Sequence, residues 1–65
     1  MRTRLKTART NRRRTQQEVA DYLNIAKNYY QSIEAGTSDG SVKNWLKLFE
    51  FFDKAIPLDK LMENN

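Results

Sequence analysis

No apolar run in this chain is longer than two residues. A membrane-spanning helix needs about 20 consecutive apolar residues, so no segment here can cross a bilayer. No segment alternates apolar and polar residues long enough to make a half-buried strand either. The apolar residues recur instead at the three-and-four spacing of amphipathic helices, which predicts an all-α fold. With 65 residues, 38% of them hydrophobic, the chain is expected to form one domain around a small core. There is no cysteine to make a disulfide or a thiolate metal site, and no histidine to act as general base or metal ligand. Two glycines are too few for a phosphate-cradling loop. Catalysis by carboxylates alone would need a cleft that a domain this small can hardly build. The expectation is a protein that is not an enzyme and holds no metal or cofactor. Residues 1–14 are charged but have no apolar stretch behind them, so they do not read as a signal peptide, and a cytoplasmic location is expected.

The spacing predicts five helices. The first covers about 2–12, with Leu5 and Ala8 inward. The second covers Gln16 to Leu23: Thr15 and Glu18 form a Thr-x-x-Glu capping box at its start, Val19, Ala20 and Leu23 make its apolar stripe, and Asn24 ends it. The third runs from about Lys27 to Ala35 and stops at Gly36; Tyr30 shares a face with Ile33 and is expected in the core. Ser41 caps the fourth, whose broad apolar face is Val42, Trp45, Leu46, Leu48, Phe49 and Phe52, with Phe51 at the edge. Pro57 opens a short fifth helix with Leu58, Leu61 and Met62 on its apolar side. Residues 63–65 are expected to fray.

Charge is unevenly distributed. Residues 1–14 carry seven basic side chains (Arg2, Arg4, Lys6, Arg9, Arg12, Arg13 and Arg14) and no acidic one, whereas the other 51 residues carry five basic and eight acidic. A basic end on a slightly acidic body points to an anionic partner. One or two of these cations are expected on phosphates and the remainder in solvent. The second and third helices are joined by only Asn24-Ile25-Ala26. Two short helices so joined, with facing apolar sides, make a helix-turn-helix at about 16–35, whose second helix can enter the DNA major groove. Its outer face carries Lys27, Asn28, Gln31 and Ser32. By spacing alone these would be a solvated surface. Within this motif they are groups that can pair with base edges.

The run Arg9-x-x-x-Arg13-Arg14-Thr15-Gln16-x-x-Val19-Ala20-x-x-Leu23-Asn24-Ile25, followed by Tyr30-x-x-Ile33-Glu34-x-Gly36, resembles the phage-repressor and Cro-like (XRE-type) helix-turn-helix domain. Trp45-x-x-Leu48-Phe49-x-x-Phe52 and Leu58-Asp59-Lys60-Leu61 look like its fourth and fifth helices. The resemblance implies a five-helix, lambda-repressor-like fold. It implies base contacts from Lys27, Asn28, Gln31 and Ser32, base or backbone contacts from Gln16, Gln17 and Tyr29, and backbone contacts from Arg12, Thr37, Ser38, Lys43 and Asn44. Arg9 and Glu34 match an internal ion pair of the family. Departures are Ala26 where the family has a capping Ser or Thr, Arg14 at an apolar position, and Arg13 and Asn24 in place of turn glycines. Tyr29 and Tyr30 are bulky for their positions, and the connection 53–57 is about two residues longer than usual.

The chain is therefore expected to be a sequence-specific regulator of transcription that binds double-stranded DNA, a repressor of phage or mobile-element type. It would bind an inverted-repeat operator as a homodimer, for which Phe51, Leu58, Leu61 and Met62 are the candidate surface; Phe51, Leu58 and Met62 could equally be remaining core. The alternative is a protein-interaction module on the same scaffold, such as an antitoxin or an inhibitor of another regulator. The basic end and the acid-free face of the third helix weigh against it. A-form RNA is a poorer partner, because its major groove is too narrow for a helix.

Overall fold

The computed structural model describes all 65 residues and contains five α-helices: α1 Thr3–Asn11, α2 Gln16–Leu23, α3 Lys27–Ala35, α4 Val42–Phe51 and α5 Leu58–Met62. Local chemistry accounts for most of the boundaries. Thr15 Oγ1 accepts the Glu18 N–H at 3.1 Å and Glu18 Oε1 accepts the Thr15 N–H at 2.9 Å, completing the capping box. The backbone hydrogen bond to Thr15 is the main reason the Glu18 carboxyl titrates below its ordinary range. Asn24 takes the left-handed conformation that ends α2, and Ser41 Oγ accepts the Asn44 N–H at the start of α4. Pro57 is the residue before α5 rather than its first residue. Gly36 ends α3 at φ 87°, where an added Cβ would also collide with the side chain of Asn64.

One cluster forms the core: Leu5 and Ala8 from α1, Val19, Ala20 and Leu23 from α2, Tyr30 and Ile33 from α3, Trp45, Leu48 and Phe52 from α4 and its end, and Leu61 from α5. Tyr30 is fully buried with no hydrogen-bond partner for its hydroxyl, and burial together with the nearby Glu34 carboxylate pushes that hydroxyl's pKa up.

The apolar face of α4 is narrower than its spacing predicts. Trp45, Leu48 and Phe52 are buried, but Val42 and Leu46 are exposed, and Asn44 takes the place on the inner side. The rotation of α4 follows Trp45, whose indole N–H donates to the Asp39 carbonyl at 2.8 Å and whose ring lies under the Arg2 guanidinium. The set expected on a dimer surface is likewise divided. Leu61 is wholly buried, and Phe51 and Leu58 pack against the core, Phe51 with its ring 4.9 Å from that of Tyr22. Only Met62 is exposed, so these four residues do not make a patch.

The two chain ends are hydrogen-bonded to each other. The Met1 amino group donates to Asn64 Oδ1 and to the Asn65 carbonyl, both at 2.9 Å, while the Asn64 amide donates to the Gly36 carbonyl at 3.0 Å. Arg2, counted above with the phosphate-seeking or solvated cations, is 5% exposed. Its backbone N–H donates to the Glu34 carbonyl and its guanidinium to the carbonyls of Ile33, Ser38 and Met62. One cation thus closes the C-terminal ends of α3 and α5, where free carbonyls and the helix dipoles favour positive charge.

Candidate nucleic-acid interface

Helices α2 and α3 meet through a polar chain as well as through the core. Arg9 of α1 and Glu34 of α3 form a two-pronged ion pair, Nε to Oε2 at 2.9 Å and Nη2 to Oε1 at 3.0 Å. The third prong of Arg9 donates to the Arg14 carbonyl at 2.8 Å, so the same side chain fixes the turn before α2. The two side chains are only 11% and 2% exposed. Burial, the largest influence on Glu34, opposes its ionisation, but the hydrogen bonds from Arg9 and Gln16 and the positive charge of Arg9 outweigh it. The carboxyl is held below its ordinary range. The Glu34 bond correspondingly raises the pKa of Arg9.

From Glu34 the chain continues outward. Gln16 Nε2 donates to Glu34 Oε1 at 3.3 Å, and Gln31 Nε2 donates to Gln16 Oε1 at 3.2 Å. These bonds fix which end of each amide points where. Gln31 is left with its Oε1 acceptor and one N–H free. Sequence spacing offers no sign of this chain, because its members lie 18 and 15 residues apart.

The remaining expected residues fall into two groups. Lys27, Asn28, Gln31 and Tyr29 are exposed on α3, and Lys27 and the Asn28 side chain have no protein partner. Ser32 is half-buried and donates its hydroxyl to the Asn28 carbonyl at 3.1 Å, so it presents only acceptor lone pairs. Ala26 gives α3 no side-chain cap, which leaves its first N–H groups directed outward beside Lys27. Gln17 is exposed at the start of α2, its amide donating to Asp21 at 2.8 Å. Thr37 is exposed in the loop after α3, and Ser38 is half-buried there, held through its carbonyl by Arg2.

Arg12 and Asn44 are placed differently from expectation. Arg12 is turned onto the end of α4, donating to the Asp53 carboxylate at 2.8 Å and the Phe52 carbonyl at 3.2 Å, with its guanidinium over the Phe52 ring. It clasps the connection in which Asp53 and Lys54 both have positive φ, so its charge is already engaged. Asn44 is 7% exposed, too enclosed to meet a phosphate backbone. The basic end as a whole is less available than its composition implies. Arg4 and Arg14 pair with Glu63 and Glu18, and of the seven cations only Lys6 and Arg13 have no protein partner.

The arrangement thus far is two short helices joined by a three-residue turn, the second presenting unpaired polar groups. A family model described as helix-turn-helix matches residues 5–59. The chain belongs to that family. No curated protein and no solved structure matches it. The helix-turn-helix match covers all of α2 and α3 and supports the Cro- and repressor-like (XRE-type) assignment, a family of DNA-binding regulatory domains rather than of enzymes. No helix is long and apolar enough to cross a membrane.

Proposed function

We propose that this helix-turn-helix domain is a sequence-specific repressor that reads the major groove of an inverted-repeat operator with α3, two copies per site. The observation that carries this reading is the outer face of α3: Lys27, Asn28 and Gln31 are exposed, and the cation and the Asn28 amide make no hydrogen bond or ion pair within the protein. Asn can bond an adenine edge with both amide atoms, Lys can donate to guanine, and Gln31 keeps an acceptor and a donor for the same purpose. Behind this face, Arg9, Glu34 and Gln16 hold α2 and α3 in fixed relation, so the reading groups stand on a rigid support. In this reading Gln16, Gln17, Arg13, Thr37 and the uncapped N–H groups at the start of α3 take phosphates beside the groove. Tyr29 lies beside the reading face. Repression follows from occupancy: a domain of this size bound across a promoter excludes polymerase without a further activity.

Selection of bound duplexes from a random pool is the first test, and recovery of an inverted repeat is expected. On the recovered site, Asn28→Ala and Lys27→Ala each cost about 1–3 kcal/mol and relax preference at particular base pairs, while Gln16→Ala weakens all sites more evenly. An unchanged preference profile in the Lys27 and Asn28 variants would put the reading face elsewhere.

A further inference from the structure

Helix α4 has a second apolar side. Val42 is 76% exposed and Leu46 52%, and the half-buried Phe49 is not among the residues packed on the core. Spacings of four and three align these residues along one edge of the helix. Farther from the core on the same side stand Lys43 and Glu50, two turns apart. Neither has an ion-pair partner, although five ion pairs form elsewhere in the molecule.

We infer that this stripe is covered by a second copy of the chain, α4 against α4, antiparallel across a two-fold axis at Leu46. In such a pair, residue numbers facing each other add to a nearly constant value. Setting Leu46 on its own copy places Val42 beside Phe49 of the partner subunit, and Lys43 opposite Glu50 of the partner subunit. Symmetry repeats each contact. A parallel arrangement would set lysine on lysine and glutamate on glutamate, which repel. The strip carries one charge of each sign, so it suits a copy of itself better than a uniformly acidic or basic partner.

A standard interface buries about 800 Å² per partner, roughly a fifth of this molecule's 4107 Å². One helix edge supplies less, so the dimer is weak when free and tightened by DNA. Reading two half-sites one turn of DNA apart would require the α3 helices of the pair to stand about 34–36 Å apart. Only this last point rests on the DNA reading. The interface moves from the C-terminal residues to α4, and Lys43 moves from the phosphates to the dimer.

The chain has no cysteine, so Leu46→Cys carries its single thiol. On the axis that thiol meets its own copy within the separation a disulfide requires, about 3.5–4.5 Å between Cβ atoms. Mild oxidation should convert the variant to a covalent dimer, while Gln17→Cys and Met62→Cys, also exposed, should remain mostly monomeric. In sedimentation equilibrium without DNA, Lys43→Glu and Glu50→Lys each weaken association several-fold, the double variant restores it, and Leu46→Glu abolishes it. All these positions are at the surface, and circular dichroism checks that the helices are retained. Monomers at every concentration with no preferential cross-linking at position 46, or a dimer indifferent to Leu46→Glu and to the charge exchange, would overturn the inference. Because these assays contain no duplex, their failure is distinguishable from failure to bind DNA.

Discussion

Three buried charges hold this domain together, and each is a residue whose charge alone would have placed it at the surface. For Arg9 and Glu34, removing one partner from a buried pair costs about 3–5 kcal/mol. A 65-residue domain at 0.05–0.15 kcal/mol per residue has roughly 3–10 kcal/mol in all. Arg9→Ala should therefore unfold much of the population in a urea titration, and Arg9→Lys should recover little, because a lysine cannot reproduce the two-pronged contact. The pair also makes stability depend on pH. The Glu34 carboxyl is depressed in the folded state. Its contribution is thus complete above the ordinary carboxylate pKa of about 4.3 and is lost as pH falls through the lower folded value. Stability of the native chain and of Glu34→Gln, measured from neutral to acid pH, should converge on the acid side; parallel curves would show that Glu34 does not titrate in this way. Arg2 has no carboxylate partner at all. Its guanidinium bonds three carbonyls over the Trp45 ring, and hydrogen bonds to charged groups are worth about 1.5–3 kcal/mol each. Arg2→Ala should lower the urea midpoint while leaving the salt dependence of DNA binding unchanged, since the side chain is not available to phosphates.

At the scale of the element, the two helices of the motif begin differently. Helix α2 carries a complete capping box, and α3 has none because Ala26 offers no acceptor. Thr15→Ala should cost about 1 kcal/mol, and Ala26→Ser should gain about as much if the new hydroxyl caps α3. The gain in thermal midpoint would be accompanied by weaker DNA binding if the uncapped N–H groups take a phosphate, because the serine would then compete for them. Calorimetry and a binding titration on the same variant separate the two effects. The ends of α3 and α4 show how an element can depend on remote chain. Gly36 accepts from Asn64, and the left-handed pair Asp53 and Lys54 is clasped by Arg12.

For the whole molecule, the formal net charge of +4 overstates what DNA can use. Arg2, Arg4, Arg9, Arg12, Arg14 and Lys60 are engaged internally, leaving Lys6, Arg13, Lys27, Lys47 and Lys54, with Lys43 as a sixth only in a copy not paired through α4. With about 0.9 in log-log salt slope per phosphate neutralised, at most six free cations limit the side-chain contribution to about 5 per copy. Titrations at several salt concentrations should find a slope no steeper than that, with Arg13→Ala reducing it by about 0.9 and Arg4→Ala leaving it nearly unchanged. A slope set by all seven N-terminal cations would mean that the internal pairs open on DNA.

The sequence by itself determined what local chemistry controls. Helix boundaries followed from Thr15, Glu18, Asn24, Gly36 and Ser41, whose caps and turns act within a few residues. The helix-turn-helix and the exposed polar face of its second helix followed from the short Asn24-Ile25-Ala26 turn and the split between Tyr30 with Ile33 and Lys27 with Asn28. The Arg9–Glu34 pair was legible only through resemblance to a family. Tertiary structure decided the rest, because it depends on which surfaces meet. Residue type could not tell that Arg2 is enclosed and Val42 exposed, that Leu61 is core and Asn44 inward, or that Arg12 is paired with Asp53. A cation seeks whatever acceptors packing brings within reach. Here packing brought carbonyls and carboxylates from 25 to 60 residues away along the chain.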